Sequence, residues 1–317
     1  MLMMSLRRWI QLFLAALACV ALLAGCAALD TQQRRWIFQP SSDTWRGASY
    51  AAEGMDELWI EFDSRLEGGQ ARLHALWLPQ DRPDAPVLLY LHGARWDVRS
   101  SAPRMRRMHD LGFAVLGIDY RGFGQSSGEL PSERLAYEDA RAAWDWLGRE
   151  HPQIRRFIYG HSLGGAIATH LASEVDDAAG LLVEASFPSI REVVSTFRWG
   201  WLPVGPLITQ RFEAAEHITR LKAPVLVAHG SADRFIRPEL GRQLYERAPE
   251  PKRWLLVDGG SHHNTSAVGR EDYREALREL FGLGTAQDVV QSRLELPSRH
   301  DVPLQALAAP QPVLVAR

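Results

Sequence analysis

The stretch that decides the fold is residues 156–172, which read RFIYGHSLGGAIATHLA. Its first four residues form a short, mostly apolar run that is typical of a buried strand. A G-x-S-x-G pattern follows between Gly160 and Gly164, and small and apolar residues that favour a helix come directly after it. The stretch therefore predicts a strand, a tight turn that carries Ser162, and a helix, in that order.

Such a turn would hold Ser162 in an unusual position. The serine backbone is strained in a strand–turn–helix of this kind, and side chains in place of Gly160 and Gly164 would collide with neighbouring backbone. The hydroxyl then projects beyond the sheet at the start of a helix, where the helix dipole favours developing negative charge. Ser162 is thus a candidate nucleophile, and a purely structural glycine-rich turn is the alternative.

Further strands and helices are predicted on both sides of this turn. Polarity alternates with a period of two at 57–62 and 72–78, which predicts antiparallel strands at one edge of a sheet. Short continuous apolar runs predict strands that are buried on both faces, at 87–91, 114–118, 156–159, 181–183, 225–228 and 254–257. Helical patterns lie between or after most of them, at 103–111, 132–149, 164–173, 238–247 and 271–281. This alternation predicts an α/β protein with a doubly wound, mostly parallel sheet.

The chain resembles the α/β-hydrolase superfamily over about 226 residues, from 58 to 283. The sequence YLHG at 90–93 is similar to the turn that begins the family's oxyanion-hole loop, and DYRGFGQSSG at 119–128 to a structural turn of the family. HGSAD at 229–233 resembles the acid-bearing loop, and GGSHHN at 259–264 resembles the histidine loop. The order Ser, Asp, His along the chain is the order of this superfamily. The resemblance implies an α/β-hydrolase fold.

The resemblance also implies a catalytic triad. Ser162 would be the nucleophile, His262 the general base and acid, and Asp233 the carboxylate that orients the imidazole. A serine hydroxyl is a weak nucleophile until a base takes its proton, and an imidazole can accept that proton and return it to a leaving group. A buried carboxylate holds the correct tautomer and stabilises the imidazolium.

Alternatives remain for two of these roles. His263 is an alternative base, although the family's Gly-x-His spacing, counted from Gly260, favours His262. His161 is expected to pack under the turn, because neighbouring residues on so tight a turn point apart. Two further acidic residues at strand ends are alternative acids: Glu184 and Asp258.

By the same resemblance, the oxyanion hole would use the backbone N–H groups of Leu163 and Ala94. Many relatives have small residues after the His-Gly pair, whereas this chain has Arg95 and Trp96, which predicts a pocket of different shape. Residues 186–223 lie where caps are inserted in this superfamily, and they predict a short cap. Their apolar side chains would either line an acyl pocket or pack on the domain.

The N-terminus resembles a bacterial lipoprotein signal. Arg7 and Arg8 precede an apolar stretch at 10–24, and Leu23-Ala24-Gly25-Cys26 is similar to the site at which lipoproteins are cleaved and acylated. We expect residues 1–25 to be removed and Cys26 to carry lipid chains such as palmitate; a plain signal peptide or an uncleaved anchor is the alternative. Residue 27 is Ala rather than Asp, which favours the outer membrane of a Gram-negative envelope.

The remaining organisation follows from composition. We expect a lead-in at 26–54, a hydrolase domain at 55–284, and an irregular tail at 285–317 that contains four prolines. Only one apolar run approaches membrane-spanning length, which excludes a polytopic membrane protein. With 36 basic and 38 acidic residues, the net charge of −2 gives no basic footprint for nucleic acid.

The sequence therefore predicts a lipid-anchored serine hydrolase, most simply a carboxylesterase that cleaves small-molecule ester or acyl substrates through an acyl-enzyme. A thioesterase, a lysophospholipase or a peptidase would use the same triad. A non-catalytic, lipid-anchored binding protein on this scaffold is the alternative from another class. No H-E-x-x-H motif or paired-cysteine cluster is present, so neither a metal nor an organic cofactor is expected. The oligomeric state is left open.

Overall fold

The computed structural model of the chain describes residues 6–45, 48–198 and 200–283. In these residues eight strands form one sheet: β1 Asp56–Asp63, β2 Gln70–Leu78, β3 Val87–Leu91, β4 Ala114–Ile118, β5 Arg156–His161, β6 Ala178–Glu184, β7 Val225–Gly230 and β8 Lys252–Val257. The α-helices of the same residues are α1 Leu6–Phe38, α2 Ala48–Ala51, α3 Ala102–Asp110, α4 Glu133–Glu150, α5 Leu163–Glu174, α6 Ile190–Ser195, α7 Ala214–His217, α8 Pro238–Arg247, α9 Thr265–Val268 and α10 Arg270–Phe281. The tail predicted at 285–317 lies outside the described residues.

The sheet is open, and its strand order is β1-β2-β4-β3-β5-β6-β7-β8. β1 pairs with β2, and β2 pairs with β4, in antiparallel fashion. All other neighbours pair in parallel. The predicted α/β-hydrolase fold with antiparallel N-terminal strands is thus confirmed, with β1 at the edge and β2 one place inside it.

Helices cover both faces of the sheet. Leu89 and Leu91 of β3 belong to the apolar core that α4, α5 and α8 complete on one face. Leu88 and Tyr90 belong to the core that α3 and α10 complete on the other. This alternation follows from the period of two along a strand. Because β3 to β8 run in parallel, the loops after them gather at one edge of the sheet, which is where α/β proteins bind ligands.

Helix α1 is long and mostly exposed. Within the described residues, Trp9–Phe38 is the one helical stretch long and apolar enough to cross a membrane, a test that signal sequences near an N-terminus also pass. The helix runs through the expected cleavage site before Cys26 without a break. The apolar side chains at the beginning of the helix are exposed, whereas Phe38 at its end is fully buried and packs edge-on against Phe123 and Phe212. The predicted lead-in therefore begins as helix and enters the core.

The cap region at 186–223 contains α6, α7 and two short 3₁₀ turns. Its apolar side chains divide into two groups. Phe187 and Phe212 are buried in the core of the domain, whereas Phe197, Trp201 and Leu207 are exposed. Packing on the domain therefore accounts for only part of the apolar character of this segment.

Candidate active site

Ser162 lies on the turn between β5 and α5, in backbone geometry that only a fixed environment maintains. Its φ is +56° and its ψ is −122°, a strained combination for a residue with a side chain. A Cβ on Gly160 would lie 2.1 Å from the carbonyl oxygen of Gly164, and one on Gly164 would lie 2.1 Å from that of Leu91. Both glycines are therefore required by close backbone contacts, as the sequence indicates.

Three side chains from distant loops meet at this turn. His262 Nε2 lies 3.1 Å from Ser162 Oγ, and His262 Nδ1 lies 2.8 Å from Asp233 Oδ2. All three residues are buried. The His263 side chain, in contrast, is exposed, and its ring stands edge-on to that of His262. The structure thus brings Ser162, His262 and Asp233 into one hydrogen-bonded series, with His262 rather than His263 in the middle.

Asp233 is oriented by its own loop. Its Oδ1 accepts hydrogen bonds from the backbone N–H groups of Phe235 and Ile236, at 2.8 and 2.9 Å. Burial acts to raise the pKa of Asp233, but hydrogen bonds from His229 and His262 outweigh it and hold the pKa well below its usual range. Asp233 is therefore an ionised acceptor with one oxygen held by backbone and the other directed at His262.

His161, next to Ser162, points away from it and under the turn. Its Nε2 donates to the carbonyl oxygen of His262 at 2.8 Å. Burial, the charge of Arg104 and the neighbouring His262 lower the pKa of His161 well below its ordinary value, so the ring is neutral. The expected packing under the turn is present, and the contact with the His262 backbone is an addition that the sequence did not indicate.

Glu184, one of the alternative acids, has other partners. It is fully buried at the end of β6 and accepts hydrogen bonds from Tyr159, Tyr273 and Arg104. Burial acts to raise the pKa of Glu184, but the Arg104 charge and the two tyrosines outweigh it and lower the pKa. Arg104 also donates to the carbonyl oxygen of His263 at 3.1 Å. This cluster lies below the His262 loop and was missed by sequence reasoning, since its members carry no motif.

Asp258, the other alternative acid, accepts a hydrogen bond from Ser231 Oγ at 3.0 Å and is exposed. Neither alternative acid is hydrogen-bonded to the imidazole of His262.

The two candidate oxyanion donors flank Ser162. Leu163 is the first residue of α5, so its N–H precedes the helical hydrogen-bond ladder. A Cβ on Gly93 would lie 3.1 Å from Ser162 Cβ, which puts the loop that continues into Ala94 directly beside the serine. Arg95 and Trp96 follow in left-handed backbone geometry, with φ of 68° and 59°. The Arg95 side chain is directed at the end of α1, where its Nε donates to Gln39 Oε1, and the Trp96 side chain is exposed.

A groove of about 710 Å³ opens in the cap. It is lined by residues of the cap itself, among them Arg191, Trp201, Leu202 and Arg211, and by no member of the Ser162–His262–Asp233 series. In the described ranges, no group of three or more His, Cys, Asp or Glu side chains is placed to hold a metal ion.

Comparisons with known proteins agree with the fold. Residues 82–214 match the family described as serine aminopeptidase, S33. An uncharacterised protein of Mycobacterium tuberculosis is 32% identical over 281 residues, which cover 88% of this chain and 97% of that protein. The chain belongs to the α/β-hydrolase superfamily.

Other similar proteins include one named as a lipase and one named as an esterase. The lysophosphatidylserine lipase ABHD12 of Danio rerio is 32% identical over 186 residues, which are 53% of this chain and 48% of that protein. Esterase Pf2001 of Pyrococcus furiosus has a TM-score of 0.60 at 18% identity, over 77% of this chain and 99% of the esterase. Est1E of Butyrivibrio proteoclasticus has a TM-score of 0.57 at 18% identity, over 71% and 99%. At this identity, the two structures are evidence for the shared fold alone.

Proposed function

We propose that this chain is a serine hydrolase that cleaves carboxylic esters through an acyl-enzyme on Ser162. One observation carries the proposal: the hydrogen-bonded series from Asp233 through His262 to a serine on a strained turn at the start of a helix. A structural glycine-rich turn has no need of an imidazole and an ionised carboxylate aligned on its serine.

In the first half of the reaction, Ser162 Oγ attacks the carbonyl carbon of the ester while His262 Nε2 takes the hydroxyl proton. The carbonyl oxygen becomes an oxyanion, and the N–H groups of Leu163 and Ala94 stabilise it. Asp233 stabilises the imidazolium through Nδ1 and stays ionised throughout. The carbon–oxygen bond to the alcohol then breaks, and His262 gives its proton to the departing alcohol.

In the second half, a water molecule attacks the acyl-enzyme carbonyl. His262 Nε2 takes a proton from the water, and the same two N–H groups stabilise the second oxyanion. The bond between Ser162 Oγ and the acyl carbon breaks, the serine regains a proton from His262, and the carboxylic acid leaves. Every proton that His262 takes is returned within the cycle.

A single-chain phospholipid is a second candidate substrate. The relative from Danio rerio carries the name lysophosphatidylserine lipase. This chain has, in addition, a long apolar N-terminal helix that could keep it at a lipid surface. A lysophospholipase would follow the same steps, with the glycerol oxygen as the leaving group.

The first experiment is covalent labelling with a fluorescent fluorophosphonate, which reacts with activated serines. We expect the full chain to be labelled and Ser162→Ala to lose labelling completely. Ser173→Ala, on the same helix α5, is the matched control and should be labelled like the unchanged chain. Labelling that survives Ser162→Ala, or an unchanged chain that takes no label, would contradict the proposal and favour a binding protein on this scaffold.

The second experiment separates substrates. Nitrophenyl esters of increasing acyl length are compared with a lysophospholipid, the thioester analogue and an N-terminal amino-acid anilide, and kcat/KM is measured for each. We expect the oxygen esters to be cleaved best. A preference for the lysophospholipid would select the second candidate, and cleavage of the anilide alone would replace the esterase assignment with a peptidase.

A further inference from the structure

The last turns of α1 are fixed to the cap. Gln33 Nε2 donates to the carbonyl oxygen of Leu207 at 2.6 Å, and Gln33 Oε1 accepts from the backbone N–H of Thr209 at 2.9 Å. Gln210 Nε2 donates to Asp30 Oδ1 at 2.8 Å. With the bond from Thr209 Oγ1 to Gln33 Oε1 at 3.3 Å, four hydrogen bonds join about one turn of α1 to the cap segment at 207–210.

The end of the same helix contacts the candidate oxyanion loop. The backbone N–H of Arg95 donates to the carbonyl oxygen of Phe38 at 2.9 Å, and Arg95 Nε donates to Gln39 Oε1 at 2.6 Å. Arg95 directly follows Ala94. The helix therefore leaves the domain from a point that touches both the cap and the loop beside Ser162.

A group of large apolar side chains is exposed on the cap. We call it the cap patch; its members are Phe197, Trp201, Leu202 and Leu207. Trp201 is 74% exposed and Phe197 60%. Trp36, near the end of α1, is 65% exposed as well. Tryptophan and phenylalanine exposed together are typical of a surface that contacts another phase or partner, and tryptophan in particular collects at membrane interfaces.

An attachment to the membrane would lie close to this patch both for an uncleaved anchor and for a chain acylated at Cys26. If α1 stays intact, its apolar part enters the bilayer directly before the turn that holds Asp30 and Gln33. If the chain is instead cleaved and acylated at Cys26, Gln33 lies seven positions after the lipid, which is about 10 Å along a helix. In both cases a short, rigid helical connection brings the cap to the lipid surface.

We propose that the cap patch docks on the bilayer that holds α1, so that the candidate active site opens towards the lipid. The aromatic and leucine side chains of the patch would enter the interface. Arg191, Arg211 and Glu213 line the cap groove and give it a net positive charge, which attracts anionic headgroups. Docking does not depend on the reaction, but the consequence that the ester substrate arrives from the lipid rests on the proposed function.

The test of docking is photocrosslinking of the full chain in vesicles of phosphatidylethanolamine and phosphatidylglycerol that contain a fluorescent phosphatidylglycerol. Benzoylphenylalanine is incorporated at position 201 or 207 of the cap patch. The matched control carries it at position 153, an exposed position in the loop before β5, at the opposite edge of the sheet. Only protein that floats with the vesicles is irradiated, and lipid attached to the protein is measured on a gel.

We expect lipid to be attached from positions 201 and 207 and not from position 153. Attachment that is equal at all three positions, or that is absent from both cap positions in floating protein, would overturn the proposal. Because crosslinking needs no hydrolysis, the outcome is independent of the serine chemistry. A chain that crosslinks through the cap but takes no fluorophosphonate would refute the proposed function and leave docking in place.

Access of substrate from the lipid is tested with a leucine pair of similar exposure. Leu202→Asp places a charge in the cap patch, whereas Leu256→Asp places one on the edge strand β8. We expect Leu202→Asp to lower hydrolysis of an ester embedded in vesicles about tenfold, with hydrolysis of a soluble nitrophenyl acetate unchanged. Leu256→Asp should change neither rate. Equal effects of the two variants on the embedded ester would overturn access through the cap.

Discussion

Two buried side chains hold the His262 loop by its backbone. His161 donates to the carbonyl of His262, and Arg104 donates to the carbonyl of His263. Neither side chain is hydrogen-bonded to the Ser162 hydroxyl, so we regard both as positioning residues. The charge of Arg104 is balanced by Glu184, which lies 3.1 Å away in the core. The alignment of His262 on the serine therefore depends on a buried ion pair outside the hydrogen-bonded series.

Loss of that ion pair should be costly. We expect Arg104→Met to lower the free energy of unfolding by about 3–5 kcal/mol, because the buried carboxylate of Glu184 would be left without its cation. Lys222→Met, which removes an ion pair with Asp176 at the surface, is the matched control and should cost less than about 1 kcal/mol. Urea denaturation of the full chain in detergent measures both. Similar costs for the two variants would contradict the role assigned to Arg104.

The sequence predicted the residues of the series because each follows a strand within a recognisable loop. Ser162, Asp233 and His262 lie in the loops that follow β5, β7 and β8, and their neighbours carry the motif glycines. Arg104, Tyr159 and Tyr273, in contrast, come from α3, β5 and α10 without any characteristic spacing. Their partnership with Glu184 exists only once the helices are packed on the sheet, and a local pattern cannot indicate it.

At the scale of elements, β5, α5 and β3 approach one another so closely that residues 160 and 164 must be glycine. A Cβ at Gly164 would overlap the carbonyl of Leu91 at the end of β3. We expect Gly164→Ala to cost about 3 kcal/mol or more and to abolish fluorophosphonate labelling, since α5 must move away from the strand. In the cap, a Cβ on Gly205 would lie 3.5 Å from the nearest atom, an ordinary contact. Gly205→Ala is therefore the control and should keep its stability and labelling; wild-type behaviour of both variants would refute this packing argument.

Element boundaries were predicted best where burial alone determines them. β3 and β4 occupy the residues of their apolar runs, 87–91 and 114–118. β5 and β7 continue beyond their apolar runs to His161 and Gly230, because pairing with neighbouring strands extends to residues that are not apolar. The polar end of α1 was not predicted as helix, since Gln33 and Arg34 lack an apolar period. Their bonds to the cap and to the loop at 130–131 stabilise that end through tertiary contacts.

At the scale of the whole molecule, the parallel strands gather the reactive loops at their carboxyl edge, and α1 makes its contacts with the domain beside those loops. The cap contributes segment 207–210 to the same contacts. An anchor at this position would bring the catalytic edge, rather than the opposite edge, to the lipid surface. The fold thus gives a reason for the combination of a short cap with an N-terminal apolar helix.

Histidines distributed through the molecule make its stability depend on pH. Burial is the main cause that lowers the pKa of six of them, which are His92, His151, His161, His170, His217 and His263. As the pH falls below about 6.5, the unfolded chain binds more protons at these positions than the folded chain does. As far as these histidines are concerned, the free energy of unfolding is therefore highest above that pH, and it falls as the solution is acidified. Asp139 has the opposite effect on stability and offsets one histidine. Burial raises the pKa of Asp139 to about 7, so the folded chain binds a proton there at a pH at which the unfolded chain does not.

We expect the thermal midpoint of the full chain in detergent to fall steadily between pH 6.5 and 5, because each neutral buried histidine contributes up to about 1.4 kcal/mol per pH unit. His170, stacked on Tyr137, has a pKa lowered by burial to about 4, so its contribution should persist over this whole window. His170→Gln should therefore make the fall of stability with pH shallower, because the unfolded chain then binds up to one proton fewer relative to the folded chain. Gln153→Asn, which changes an exposed residue without a titratable group, is the control and should leave the slope unchanged. A midpoint that stays constant from pH 6.5 to 5 would show that these histidines titrate alike in the folded and unfolded chains.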